Sequence, residues 1–349
     1  MRLMQVVAVP RMTSAYVTGR ATWGAVGNRV VRLRDDGTSL ERLGEVGHGI
    51  LLHSRRPELL ERMLRLDVRN LTVLNSGELL AFVNGGLYQS IDDGRSFSLV
   101  HRLRHGRSPL RRGMSVDHNG AIWFGEYWAN PARAPARVWR SSDNGRSWHI
   151  AHVFGAGTVR HIHAVQYDPI SKNIWLCTGD CDHECSIGYL QPNSGDFTPV
   201  GGGSQEWRAV SLVFTDAHVY WGTDSPHGHN SIYRLNRQTG RREKVASTIG
   251  PVYYSSVVDD HLLFATSVET GDGEQDGYAR VYALNSETDR CTPVLELRKD
   301  RWHPIAFGYG IIEFGLGDTE RDRIWITAKG LEGGTRSLLF QVIRSEDGL

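Results

Sequence analysis

Apolar and polar residues alternate over short runs along most of the chain. Ala164-Val165-Gln166-Tyr167, Asn173-Ile174-Trp175-Leu176-Cys177 and His218-Val219-Tyr220-Trp221 are typical. Period-two alternation over four to eight residues predicts half-buried β-strands. Helical periodicity is scarce; Arg56-Pro57-Glu58-Leu59-Leu60-Glu61-Arg62-Met63 predicts one short helix. No linker or low-complexity stretch interrupts the pattern, so residues 1–349 read as one all-β domain.

The strand runs are punctuated by a repeated turn. Ser90-Ile91-Asp92-Asp93-Gly94-Arg95-Ser96-Phe97 recurs as Ser141-Ser142-Asp143-Asn144-Gly145-Arg146-Ser147-Trp148. Aspartate accepts hydrogen bonds from backbone N–H groups further along and closes a turn. Glycine takes positive φ. The aromatic residue starts the returning strand. Degraded copies sit at Asp35-Asp36-Gly37, Asn193-Ser194-Gly195-Asp196, Asn236-Arg237-Gln238-Thr239-Gly240, Asn285-Ser286-Glu287-Thr288 and Ser345-Glu346-Asp347-Gly348. The spacing is about that of four strands and their turns. Seven turns predict seven four-stranded blades, with six as the rival because the first 50 residues are least regular. The last blade lacks an outer strand, and Met4-Gln5-Val6-Val7-Ala8-Val9 is expected to supply it and close the ring.

The Ser-x-Asp-x-Gly-x-Ser-aromatic pattern resembles the Asp-box, or BNR, repeat of sialidase-like β-propellers. The resemblance implies a β-propeller with Asp-box turns, and the seven turns make it seven-bladed. It does not single out an activity, because such propellers include glycosidases, lyases, sorting receptors and assembly factors. A sialidase would be expected to carry an Arg-Ile-Pro segment near its start, and Val9-Pro10-Arg11-Met12 does not match it.

In a four-stranded blade the repeated turns lie on one face of the ring. The connections into each innermost strand, and those between second and third strands, lie on the other. Unusual polar residues gather in the latter: Arg160-His161-Ile162-His163, Asp180 to Glu184, Glu206-Trp207-Arg208, Asp224 to His229, Tyr253-Tyr254, Glu269 to Glu274, and Glu126-Tyr127-Trp128. This predicts a site in an axial funnel. His161 and His163, two apart on a strand, are expected on one side. Asp180, Asp182 and Glu184 alternate in an oxygen-rich loop of the kind Ca²⁺ favours, and are the candidate metal ligands. Cys181 and Cys185 with His183 do not have a standard zinc spacing. No cofactor is required; Ca²⁺ or Zn²⁺ are the candidate ions.

These residue types, with the resemblance, point to a carbohydrate-active enzyme acting on an acidic glycan. β-Elimination at a uronate needs a base, a positive group for the enolate-like charge and an acid for the leaving oxygen. His163 is the expected base, Arg208 the neutraliser, and Tyr254 the acid. His161, Arg160, Trp207, Tyr253, His227 and His229 are expected to hold substrate. The alternatives are a glycoside hydrolase pairing Glu126 with Glu206, Asp180 or Asp224, and a non-catalytic glycan-binding or scaffold propeller.

With 40 Lys+Arg against 39 Asp+Glu the net charge is +1, which argues against a nucleic-acid partner. No run approaches the length of a membrane helix. The apolar patch Leu3 to Val9 is too short for a signal peptide, so the chain is expected to be cytoplasmic or a processed secreted form. Three of the four cysteines cluster at 177–185, which is not a disulfide framework.

Overall fold

In the computed structural model the chain forms seven antiparallel sheets arranged as the blades of a propeller. The structure describes residues 1–19, 21–34, 37, 39–47, 57–192, 195–271, 276–318 and 322–343. The turns expected at Asp35-Asp36, Asn193-Ser194 and Ser345 to Gly348 lie wholly or partly outside these residues, as do Arg56 and Asp272 to Glu274.

The innermost strands are Thr13–Thr18, Asn70–Val73, Met114–Val116, His161–Tyr167, Leu212–Phe214, Val252–Val258 and Ile311–Phe314. Each begins one blade, numbered here 1 to 7 in that order. Blade 7 is completed by Arg2–Pro10, which pairs antiparallel with Arg336–Ile343, so the expected closure by the N-terminal strand is seen. Leu316–Gly317, leaving the innermost strand of blade 7, also pairs in parallel with Tyr16 and Val17 of blade 1. The expected helix is present as Glu58–Leu64, between blades 1 and 2.

Alternation explains how the blades stack. Val165 packs with Trp123 and Val138 of blade 3, whereas its neighbour Ala164 packs with Leu212 and Trp221 of blade 5. Successive side chains of one strand thus face the two adjoining blades. The disc is held together by apolar layers between blades, and its axis is left to polar groups.

Blade 3 closes part of that axis. Arg111 Nη2 donates to Ala15 O of blade 1 at 2.5 Å, and Arg112 Nη2 donates to Ser255 O of blade 6 at 2.7 Å. Blades 3 and 6 face each other across the ring, so Arg112 spans the axis.

The two full-length turns are nearly superimposable networks. Ser90 Oγ accepts from Gly94 N at 2.9 Å and donates to Asp92 at 2.7 Å; Asp92 accepts from Ser96 N at 2.9 Å and Ser96 Oγ at 2.6 Å. The corresponding distances around Ser141, Asp143, Gly145 and Ser147 are 2.9, 2.8, 2.9 and 2.6 Å. These bonds hold both carboxyls down at about 2. In blades 5 and 6 the turn is rebuilt with amides: Asn236 accepts from Thr239 N and Asn285 from Thr288 N, both at 2.9 Å.

Candidate functional site

Two irregularities in the innermost strands build the site. In blade 4, Ile162 pairs with Thr178 and Ala164 with Cys177, which leaves His163 as the extra residue of a β-bulge. In blade 6, Val252 pairs with Thr266 and Tyr254 with Ala265, which leaves Tyr253 as the extra residue. A bulge bends its strand and re-aims one side chain. Both occur where the innermost strand starts, on the face away from the repeated turns.

His163 and His161 meet at their Nε2 atoms, 3.0 Å apart. His161 Nδ1 lies 2.7 Å from Trp128 O, and His163 Nδ1 lies 3.1 Å from Ala209 O. A carbonyl can only accept, so both Nδ1 atoms carry hydrogen. In the neutral rings both Nε2 atoms are then bare lone pairs pointing at each other. Burial pushes His163 down to about 4, against a weaker opposing pull from Asp180, so this ring is neutral near pH 7.

Asp180 completes the cluster. Its Oδ1 lies 3.5 Å from His161 Nε2 and 3.4 Å from His163 Nε2. Gly179 places it: this residue has φ +153°, and a Cβ there would come within 3.0 Å of Cys185 Sγ. Arg160 Nη1 holds Asp180 Oδ2 at 2.8 Å, and Arg208 Nη2 holds Oδ1 at 3.1 Å. Arg208 also reaches Asp224 Oδ2 through Nε at 3.3 Å. Asp224 follows Thr223 in a loop stapled by Asn230 Oδ1, which accepts from Thr223 Oγ1 and Ser225 N at 2.9 and 2.8 Å.

Blades 3 and 6 contribute the flanks. The Tyr127 ring lies 4.3 Å from that of His161. Tyr253 Oη donates to Glu269 Oε2 at 2.9 Å. Burial raises the pKa of Tyr253, with Asp224 and Glu269 adding to it, so the phenol keeps its proton. Burial also raises Asp224 and Glu269, partly offset by Arg208 and, for Glu269, by Tyr253. Asp224 Oδ1 and Glu269 Oε1 are buried without a hydrogen-bond partner.

Several expected residues lie elsewhere. Tyr254 is 5% exposed, packed with Ile312 and Phe314 of blade 7. Trp207 stacks on Trp221 at 5.1 Å, with the Arg242 guanidinium over its ring, so it belongs to the wall of blade 5. Glu126 is 1% exposed and accepts from Arg137 N and Trp139 Nε1, both at 3.1 Å, inside its own blade. His227 and His229 are exposed in the loop after Asp224, with His227 near enough to Glu269 to favour its ionised form. The three loop carboxylates do not converge. Only Asp180 joins the histidines; Asp182 is exposed and accepts from Gln205 at 2.8 Å, and Glu184 is buried against Arg133 at 2.6 Å. The chain forms a 3₁₀ turn over Asp182–Glu184, and at three residues per turn a spacing of two no longer shares a side. The cysteines are free thiols, with Cys177 buried between blades and Cys185 pushed up to about 12 by burial.

A separate concavity of about 410 Å³ opens beside blade 7, lined by Glu58, Arg62, Asp300, Trp302, Leu331 and Glu332 among others. Its residues come from connections on the same face of the ring as the cluster.

No family model matches the chain, and no curated protein matches it. Solved propellers do. An ancestral GH74 enzyme aligns over 99% of this chain and 46% of its own, with 12% identity and a TM-score of 0.64. A GH74 enzyme from Niastella koreensis aligns over 84% and 47%, with 16% identity and a TM-score of 0.55. An oligogalacturonate lyase from Vibrio parahaemolyticus aligns over 97% and 91%, with 10% identity and a TM-score of 0.61. The chain thus spans about half the length of the GH74 chains and most of the lyase chain. Likeness at this identity shows the fold: the protein is a seven-bladed β-propeller with a polar cluster on one face. No helix among the described residues is long and apolar enough to cross a membrane.

Proposed function

We propose that this propeller is a carbohydrate-active enzyme that cleaves an acidic polysaccharide or oligosaccharide by β-elimination beside a uronate carboxylate. The observation that carries the reading is the convergence of Arg160, Arg208, His161, His163 and Asp180 with the Tyr253–Glu269 pair, from three blades, on one face. The neighbouring folds include glycoside hydrolases and a lyase, which agrees with a glycan substrate but does not choose among them. The repeated turns agree with the Asp-box reading in the same limited way.

The roles follow from the contacts. Arg160 and Arg208 present guanidinium groups to a substrate carboxylate and offset the enolate-like charge. His163 Nε2 faces His161 and Asp180 within the cluster, and the ring is 2% exposed, so it is not placed to act as the base. The proton relay falls to Tyr253. Its oxygen takes the proton α to the carboxylate while its own proton passes to Glu269. The bond to the leaving glycosidic oxygen breaks as the double bond forms, and the relay returns the proton to that oxygen. Glu269, with its raised pKa, suits both directions of transfer. A longer glycan would extend over the concavity at Trp302.

The second reading is hydrolysis, favoured by the unpartnered oxygens of Asp224 and Glu269, which replace Glu126 as the carboxylate pair. A panel of acidic glycans, followed by ultraviolet absorbance and by reducing ends in parallel, tests both. New absorbance with new ends is the expected result. New ends without absorbance would select hydrolysis, and silence in both across the panel would leave a binding propeller.

A further inference from the structure

The proton inventory of the histidine pair leaves a gap that a positive centre must fill. Both Nδ1–H groups donate to carbonyls, so in the neutral rings the two Nε2 lone pairs face each other at 3.0 Å, with the Asp180 carboxylate 3.4 and 3.5 Å away. Three electron-rich atoms that close together repel unless a cation lies between them.

We infer that His161 Nε2, His163 Nε2 and Asp180 Oδ1 bind a divalent transition-metal ion. Size supports this over a bare proton. A point equidistant from atoms separated by 3.0, 3.4 and 3.5 Å lies about 1.9 Å from each in their plane. Raised about 0.7 Å out of that plane it is about 2.0 Å from all three, the length of a zinc–imidazole or zinc–carboxylate bond. The surroundings are those of a ligand set. Each imidazole is oriented by an Nδ1–H bond to a main-chain carbonyl, the usual arrangement around a metal-bound histidine. Asp180 is steered from both sides by Arg160 and Arg208. Its Oδ1 has two lone pairs, one for Arg208 and one for the ion.

The donor set selects the ion. Two imidazoles and one carboxylate suit Zn²⁺, Mn²⁺, Fe²⁺, Co²⁺ or Ni²⁺, whereas Ca²⁺ and Mg²⁺ take oxygen ligands. The alternating acidic loop therefore supplies one ligand instead of three. Three protein ligands leave a position for an oxygen of a bound molecule, as catalytic sites do. An acidic sugar is the class of ligand that would fill it if the proposed activity holds.

The test uses the full chain, stripped with a chelator and dialysed against Zn²⁺ or Co²⁺. The expected result is one ion retained per chain, a higher melting temperature, and a visible Co²⁺ spectrum with nitrogen ligation. His161→Ala, His163→Ala and Asp180→Asn should each lose the ion, while Asp182→Asn keeps it. Arg160→Ala, which removes a support of the Asp180 ligand, should weaken ion binding by about 10-fold. Because the Co²⁺ spectrum is read on the native chain, it decides the matter even where a variant fails to fold. No uptake by the folded native chain, or equal uptake by folded His161→Ala, would overturn the proposal and leave a shared proton between the rings. A chain that binds the ion but cleaves no acidic glycan would keep this site and defeat the lyase reading; cleavage without an ion would do the reverse.

Discussion

Two aspartate-centred networks on opposite faces of the ring solve opposite problems. Around Asp143 every partner lies within a few residues: Ser141, Gly145 and Ser147 satisfy one another, and the carboxylate faces solvent. Around Asp180 the partners come from residues 160 to 208 and two blades, and the neighbouring Asp224 and Glu269 keep unpartnered buried oxygens. The first network is complete in the folded chain and has nothing left to bind. The second is held open, with charge concentrated where burial makes it costly, which is what a binding or catalytic site requires and a turn does not.

The sharpest way to break this contrast is Arg208→Ala. On sequence alone the variant is expected to lose turnover and keep its melting temperature. The structure changes the second half, because Arg208 is the shared partner of Asp180 and Asp224. Removing it strands buried carboxylates, and stability should fall by about 3 kcal/mol in a denaturant titration. An unchanged midpoint would show the cluster to be better hydrated than its contacts indicate. Tyr253→Phe should come next for activity. It should lower the rate of unsaturated-product formation by about 10²–10⁴-fold, with a modest fall in melting temperature because Glu269 loses the Tyr253 donor. Glu269→Gln should remove the acid limb of the pH–rate profile, since the relay needs Glu269 ionised and its raised pKa makes the rate climb with pH. A profile that keeps this limb would exclude Glu269 from the relay.

On the other face the effects should be smaller and purely structural. Ser141 is fully buried and accepts from Gly145 N. Ser141→Ala leaves that donor without its partner and should cost about 1–2 kcal/mol, with metal uptake and cleavage as in the native chain. Altered cleavage would mean that the two faces communicate. The smallest expected effect is the acid dependence of the turn. Asp143 sits at about 2, below its ordinary value, so its contribution is full above about pH 4 and is lost as pH falls through about 2. The melting-temperature advantage of the native chain over Asp143→Asn should shrink across that window, and a constant advantage would remove the argument.

The residues that resisted reading are instructive. Strict alternation places His161 and His163 on one side of a strand; their rings do meet, but through a bulge that takes His163 out of the pairing. A bulge at the corresponding point of blade 6 brings Tyr253, and not Tyr254, to Glu269. Period-two reasoning cannot see either, because one extra residue reverses which neighbour faces the funnel. Trp207 reads as a substrate contact in the sequence because an aromatic ring can serve a ligand or a core; its stack on Trp221 depends on a strand residue fourteen positions later.

What the sequence by itself determined is the ring and its polarity. Seven turns, period-two strands and an N-terminal segment that completes the last blade are local or pairwise features, each set by φ preferences, side-chain-to-backbone bonds and alternation. They also indicate which face gathers histidine, arginine and carboxylate. Only the tertiary structure decided which of those groups touch. A lone pair 3.0 Å from another, or an arginine shared by two carboxylates, is a matter of tenths of an ångström between segments of different blades. Those distances are set by how the blades pack and where their innermost strands bulge, and no spacing along the chain encodes them separately.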